Sequence, residues 1–135
     1  MLTMENNHSP EECQALLIKS LPIILKLGQE FEVKKSKCKK MKLGRCYGNA
    51  ASKMSKGFQY VEGVIIDKKT GLEIQHAWNV DENNNHIDFT IPDPENYTYI
   101  GIVLSKEIVY KVGWENGGTW YAVLPYITIE DAKKH

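Results

Sequence analysis

Three side chains in this sequence have the types that nucleophilic catalysis needs: Cys46, His76 and Asp88. A cysteine attacks as its thiolate, and the dipole and free amide groups at the start of a helix stabilise that negative charge. A nearby imidazole takes up the thiol proton and later protonates the leaving group, while a carboxylate behind the imidazole fixes its tautomer and orientation. The three residues therefore predict a cysteine nucleophile served by a histidine–carboxylate pair.

The segment around Cys46 has to place its sulfur at the beginning of a helix. The stretch CYGNAASKMSKGF contains helix-favouring alanine, lysine and methionine residues and ends at Gly57. Glycine is common directly after a helix because it adopts the left-handed backbone conformation without strain. The pattern predicts a short helix that begins at or just after Cys46.

Two neighbouring strands have to bring His76 and Asp88 together. Valine, isoleucine and aromatic residues between the turns KKTG and DENNN predict three strands, at about 59–67, 72–80 and 86–90. His76 and Asp88 lie on the same face only if the loop between the last two strands has an odd number of residues. A loop centred on Glu82 would place Asp88 directly opposite His76, whereas a two-residue turn at 83–84 would direct Asp88 away.

The rest of the chain supplies helices before this sheet and further elements after it. Ser9 is a candidate cap for a helix that runs to Gly28, in which Pro22 produces a kink or begins a second helix capped by Ser20. Later predictions are a strand at 97–104, a short helix capped by Ser105, and an aromatic strand at 119–127. Helices followed by an antiparallel sheet predict an α+β fold in one domain that covers residues 1–135.

Composition and charge exclude several classes of function. The chain has 135 residues, of which 42% are hydrophobic, and its 17 basic residues balance 17 acidic ones. This balance gives no overall attraction to nucleic acid or to a membrane surface, and the sequence predicts neither a signal peptide nor a membrane span.

The three cysteines are an odd number without a C-x-x-C pair, which favours a reduced, cytoplasmic location. Cys46, His76, His86 and Asp88 match no familiar zinc spacing, so the sequence predicts neither a metal nor a cofactor.

Four short pieces in order, RCYGNA, YVEG, HAWNVD and IDFT, resemble the core of the transglutaminase-like superfamily, a branch of the papain-like cysteine enzymes. The resemblance covers about residues 45–90, and it implies a papain-like core with Cys46 as nucleophile, His76 as base and acid, and Asp88 as orienting carboxylate. It further implies a cysteine-dependent hydrolase or acyl transferase that acts on an amide, isopeptide or related acyl group of a protein or peptide-like substrate. Phe89 stands where the family commonly has proline, and a calcium-dependent crosslinker is not implied because the additional domains of large transglutaminases are missing.

The alternative function is an inactive binding module of the same fold that contacts an acidic protein or nucleic acid. It would use the lysine-rich segment 34–45, although no aromatic residues are interleaved there as single-strand binding requires.

Several other side chains are candidates for the site or for its surroundings. An oxyanion donor could come from the Cys46 amide or from Gln29, Asn49 or Gln75, with Asn49 simpler as a helix-start residue. His86 reads as a surface residue, and the aromatic residues of 114–126 line a groove or belong to the core.

Overall fold

The computed structural model describes residues 10–36, 45–117 and 122–134. Its elements are four α-helices and six strands, joined by short 3-10 helices. The helices are α1 (Pro10–Leu27), α2 (Cys46–Ser52), α3 (Lys106–Glu115) and α4 (Ile129–Lys133). The strands are β1 (Gln29–Phe31), β2 (Val33–Lys35), β3 (Gln59–Asp67), β4 (Glu73–Val80), β5 (His86–Asp88) and β6 (Tyr97–Leu104).

The six strands form one curled sheet in the order β1-β6-β3-β4-β5-β2. The two end strands are consecutive in the chain and are separated only by Glu32, so the segment 29–35 pairs with both ends of the sheet. β1 lies antiparallel to β6, whereas β2 lies parallel to β5. The α+β class is therefore confirmed, but the predicted purely antiparallel sheet is wrong at this one pairing.

The alternation of side chains along the strands divides the core into two clusters. Val61 and Ile65 of β3 pack with Trp78, Val80 and Tyr99 and with Val33 of the end strand, on the inside of the curl. Tyr60 and Val64 point to the other face, where they join the side chains of α1, α2 and α3. Both faces of β3 are therefore covered, and its residues 60–65 are all buried.

Two glycines allow the sheet to pack closely on the inside of the curl. Gly63 of β3 pairs with Gly101 of β6 on one side and with His76 of β4 on the other. A side chain at Gly101 would begin 2.5 Å from the Trp78 ring, and one at Gly63 would begin 1.9 Å from the carbonyl oxygen of Ile100. Only glycine leaves the space that the indole ring occupies.

Several sequence predictions need correction. β1 and β2 were missed, because the short runs QEF and VKK carry too few apolar residues to indicate strands. α1 is a single helix through Pro22, and the Ser20 hydroxyl donates to the carbonyl of Leu16 at 2.9 Å instead of capping a new helix. The expected aromatic strand is wrong for its described part, since residues 124–126 form a 3-10 helix that begins around Pro125. The Ser9 cap and residues 119–121 lie outside the described residues.

No helix in the described ranges combines the length and the apolar character that crossing a membrane requires.

Candidate functional site

Cys46 is the first residue of α2, as the sequence predicts, and its side chain is half-buried. The short helix packs against β4, and its inward face carries Tyr47, Ala50 and Ala51. The Asn79 side chain of β4 donates to the carbonyl oxygen of Ala50 at 2.9 Å, which fixes the helix on the strand. The nucleophile candidate is therefore held by a helix whose position on the sheet is defined by both apolar packing and a buried hydrogen bond.

His76 lies on β4 inside the curl and is 3% exposed. Its Nε2 atom is 2.7 Å from Oδ2 of Asp88, at the end of β5. The loop between the strands has five residues, 81–85, and this odd number places the two side chains on one face as predicted. The loop is centred on Asn83 and not on Glu82 as expected. The pairing is therefore shifted by two residues, and continuing it along the strands places Asp88 opposite Trp78 instead of His76. Asp88 thus reaches His76 diagonally across the ladder.

The side chain of Asp81 builds the five-residue loop. Its Oδ1 atom accepts the backbone amides of Asn83 and Asn85 at 2.8 and 2.9 Å. Asn84 adopts the left-handed conformation with φ of 64°, which asparagine tolerates better than most residues. The asparagine-rich turn therefore has a geometric purpose, since it sets the register that brings β5 to His76.

Asp88 is 1% exposed and accepts four hydrogen bonds. Beside His76, the Tyr99 hydroxyl donates to Oδ2 at 2.7 Å, and the amides of Thr90 and Ile91 donate to Oδ1 at 2.8 and 2.9 Å. Burial alone would raise the pKa of Asp88, but the charge and hydrogen bond of His76 and these other donors hold that pKa below its ordinary value. The aspartate is ionised and fixed in position.

The Cys46 side chain lies close enough to the His76 imidazole to influence its pKa, and Asp88 contacts the same ring, so the imidazole interacts with both the sulfur and the carboxylate. Since Nε2 is bonded to Asp88, Nδ1 is the ring nitrogen left for a second partner. Burial alone would lower the pKa of His76, but the negative charges of Cys46 and Asp88 and the hydrogen bonds to both raise it to about 10. The charged imidazole therefore lies next to a sulfur at a helix start, an arrangement suited to attack of a cysteine on an acyl carbon.

Two contacts that the sequence did not predict tie the segment after Asp88 to α2 and to the 3-10 helix at 53–56 that follows it. Asn49, one turn along α2, donates from Nδ2 to the Thr90 hydroxyl at 2.9 Å. Lys53 places its ammonium group 4.3 Å from the centre of the Phe89 ring. Thr90 and Phe89 directly follow Asp88, so both contacts fix the distance between the two ends of the triad. Phe89, which departs from the family pattern, fills a buried position beside Phe58.

The structure distinguishes some of the four candidates for the oxyanion donor. The Nδ2 group of Asn49 bonds to Thr90, so Asn49 is a structural link between helix and loop. Gln29 is exposed on β1 and pairs with Gly101. Gln75 directly precedes His76, so its side chain points to the opposite face of β4. The backbone amide of Cys46 remains the donor that lies at the nucleophile itself.

The structure corrects the interpretation of His86. This histidine is 7% exposed, accepts a hydrogen bond from Trp78 Nε1 at 2.9 Å and stacks on Phe31 with ring centres 3.9 Å apart. Burial lowers the pKa of His86 to about 4, although the charge of Asp81 acts in the opposite direction. His86 is therefore a neutral core residue that orients the indole beside the site. Tyr99 was missed, although its period-two spacing along β6 indicates its inward face.

The other candidate groups do not converge on the triad. Trp114 is 83% exposed and Tyr126 is 48% exposed, so the core interpretation is wrong for both, while Trp120 and Tyr121 lie outside the described residues. Lys34 and Lys35 are exposed on β2, and residues 37–44 of the lysine-rich segment lie outside the described residues. In the described ranges, no group of three or more histidine, cysteine or acidic side chains is arranged to hold a metal ion.

Comparison of this chain with protein-family models, with curated proteins and with solved structures finds no match. The resemblance in the sequence therefore stays a prediction, and the geometry of the described residues carries the functional argument.

Proposed function

We propose that this protein is a cysteine-dependent hydrolase or acyl transferase that uses Cys46, His76 and Asp88 on an amide, isopeptide or related acyl substrate. The observation that carries the proposal is the buried chain of contacts from the sulfur of Cys46 through the His76 ring to Asp88. The order of the residues along the chain and their places on a helix start and two strands agree with the resemblance to the transglutaminase-like core. A papain-like core is part of the same proposal.

The reaction follows from the positions of the three groups. The Cys46 thiolate attacks the carbonyl carbon of the substrate, and the Cys46 backbone amide donates to the oxygen on which negative charge develops. The His76 imidazolium gives its Nδ1 proton to the leaving amine as the carbon–nitrogen bond breaks, which leaves a thioester on Cys46. Water or a second amine, deprotonated by the neutral His76, then attacks the thioester, releases the acyl product and returns the thiolate and the imidazolium.

Asp88 supports both halves of this cycle without exchanging a proton itself. Its four hydrogen bonds keep its pKa low, so it stays negative while His76 alternates between charged and neutral forms. The bond from Asp88 Oδ2 to His76 Nε2 keeps Nδ1 directed towards the sulfur. The protein or peptide-like substrate of this proposal would reach the half-buried sulfur from the outside of the helix start.

The alternative, a binding module that uses the lysine-rich segment, receives less support from the described residues. A groove of about 870 Å³ next to Lys34 and Lys35 carries charges of both signs. Its charged residues are Glu30, Glu32, Lys34, Lys35, Lys68 and Glu95. A surface for a polyanion would need an excess of positive charge, which this groove lacks.

Acylation by an activated ester tests the proposed function without knowledge of the natural substrate. With p-nitrophenyl acetate, we expect a burst of one p-nitrophenol per protein chain and one acetyl group on Cys46, located by peptide mass spectrometry. The burst should disappear in Cys46→Ala and become much slower in His76→Ala, while Cys13 and Cys38 serve as internal controls. Equal acetylation of all three cysteines, or an unchanged rate in His76→Ala, would overturn the proposal and favour the binding module.

A further inference from the structure

The outward face of α1 is apolar along its centre, where a surface helix normally carries charge. Side chains that project from this face are Glu11, Ala15, Ile18, Pro22 and Leu25, and all five are exposed. Ile18 is 59% exposed and Leu25 is 83% exposed. At 100° per residue the five positions form one stripe roughly 80° wide along the helix. The stripe, defined by these five residues, is named the α1 stripe.

The opposite face of α1 is already used by the core. Leu16, Ile23 and Ile24 are buried, and α1 packs against β6, α4 and the 3-10 helix at 124–126. The α1 stripe therefore makes no contribution to the packing of the described residues, and α1 is apolar on two opposite faces. A second apolar face on a surface helix marks a site of interaction, which indicates a partner for the stripe.

Charges at the two ends of the α1 stripe are complementary to those of a second copy. Glu11 lies at the N-terminal end and Lys26 lies beside Leu25 at the C-terminal end, both exposed. When two α1 helices cross antiparallel with the two-fold axis beside Ile18, Glu11 of each copy faces Lys26 of the other. The same axis places Ala15 opposite Pro22, so a small side chain faces the proline ring and the helices approach closely.

We infer that the α1 stripe is the interface of an antiparallel homodimer of this chain. A two-fold interface presents one patch to itself, and the α1 stripe meets that requirement in shape and in charge. An anionic membrane surface fits less well, because Glu11 lies in the stripe itself and cancels the charge of one of the two flanking lysines, Lys19 and Lys26. The interface involves a helix away from the triad, so the inference is independent of the proposed function.

Reversal of the charge at either end of α1 tests the dimer. We expect sedimentation equilibrium to detect a dimer as the concentration rises to roughly 0.5 mM, where a Kd near 0.1 mM gives more than half dimer. Glu11→Lys and Lys26→Glu should each raise the Kd about ten-fold, because each creates two repulsive pairs. An equimolar mixture of these two variants should dimerise again, since both pairs in the heterodimer are attractive. Lys69→Glu in the exposed β3–β4 turn is the matched charge control.

A second variant separates the interface from folding. Ile18→Glu places two like charges at the axis and should raise the Kd at least a hundred-fold, with circular dichroism unchanged because the side chain is exposed. The inference is overturned if the protein stays monomeric at 0.5 mM, if Ile18→Glu leaves a dimer intact, or if the mixture fails to regain dimer. Binding of the monomer to phosphatidylserine vesicles that is lost in Ile18→Glu would also overturn it, in favour of a membrane surface.

Discussion

Replacement of Asp88 by asparagine separates the charge of the triad from its shape. Oδ1 of the new side chain still accepts the backbone amides of Thr90 and Ile91, which lie at 2.8 and 2.9 Å in the native protein. The amide nitrogen replaces Oδ2 and now donates towards His76 Nε2, which has to become an acceptor. The ring proton then resides on Nδ1, and the neutral imidazole cannot accept a proton from Cys46.

The size of the effect on Cys46 follows from the pKa of His76. In the native protein this pKa is raised to about 10, so nearly every imidazole is protonated at pH 7.5. Cys46 and Asp88 both raise this pKa, so the loss of the Asp88 charge lowers it. A fall to the ordinary value of 6.5 would leave about a tenth of the imidazole protonated at pH 7.5. Alkylation of Cys46 that is assisted by the imidazolium should therefore slow by up to about ten-fold. The lost charged hydrogen bond should lower the free energy of unfolding by about 2 kcal/mol.

The rate of iodoacetamide alkylation at Cys46, read by peptide mass spectrometry between pH 5 and 10, measures this effect. Asp67→Asn is the matched control, because Asp67 at the end of β3 also accepts two backbone amides through Oδ1, from the exposed β3–β4 turn. Tyr99→Phe removes the other Oδ2 contact while it keeps the charge on Asp88, so Cys46 should react nearly as in the native protein. An Asp88→Asn protein that is folded and alkylates Cys46 at the native rate would refute the role of the carboxylate.

Three further substitutions test the surroundings of the triad. Asn49→Ala removes the bond to Thr90 and should slow acylation of Cys46 several-fold while the melting temperature falls only slightly, and Asn49→Ser, which keeps a shorter donor, should recover part of the rate. A large loss of stability with an unchanged acylation rate would show that this link serves folding alone. Gly101→Ala directs a methyl group into the Trp78 ring and should lower the free energy of unfolding by about 2 kcal/mol in urea titrations, whereas no change would contradict the close packing. Burial raises the pKa of Glu62 to about 7 against the opposing donors, so its contribution to stability is fully present below pH 4.5 and is lost as pH rises to 7. The stability difference between the native protein and Glu62→Gln should therefore shift by about 3 kcal/mol over this interval, and a difference that is independent of pH would refute the raised pKa.

The sequence predicts the middle of the chain best, because there the patterns are long and the turns carry their own signals. β3 and β6 have the predicted bounds, and the Asp81 turn gives the odd loop that brings Asp88 to His76. Side-chain alternation requires that the loop have an odd number of residues. The residue on which the loop is centred, and with it the register, depends on where the backbone turns. The sequence therefore predicted the odd loop but placed its centre at Glu82, one residue before the observed centre at Asn83.

Predictions failed where only the tertiary structure determines the environment of a residue. His86 follows a polar turn and resembles a surface residue, yet the curl of the sheet brings Phe31 onto its ring and Trp78 onto its Nδ1 atom. Phe31 itself belongs to a three-residue strand that exists because the segment 29–35 reaches both ends of the sheet. Such a strand is made by long-range pairing, and no local pattern in QEF indicates it.

The neighbours of the histidine–carboxylate pair support the proposed catalytic role. Around it, Trp78, Tyr99 and Val61 already fill the inside of the curl with apolar packing. Moving a carboxylate and an imidazolium out of water is costly, and apolar residues of similar volume commonly support a fold equally well. This chain nevertheless surrounds Asp88 with four donors and leaves Cys46 half-buried at the other end of the imidazole. A pair that served structure alone would need no half-buried thiol beside its ring, so the position of Cys46 is the feature that favours the proposed catalytic role over a buried ion pair.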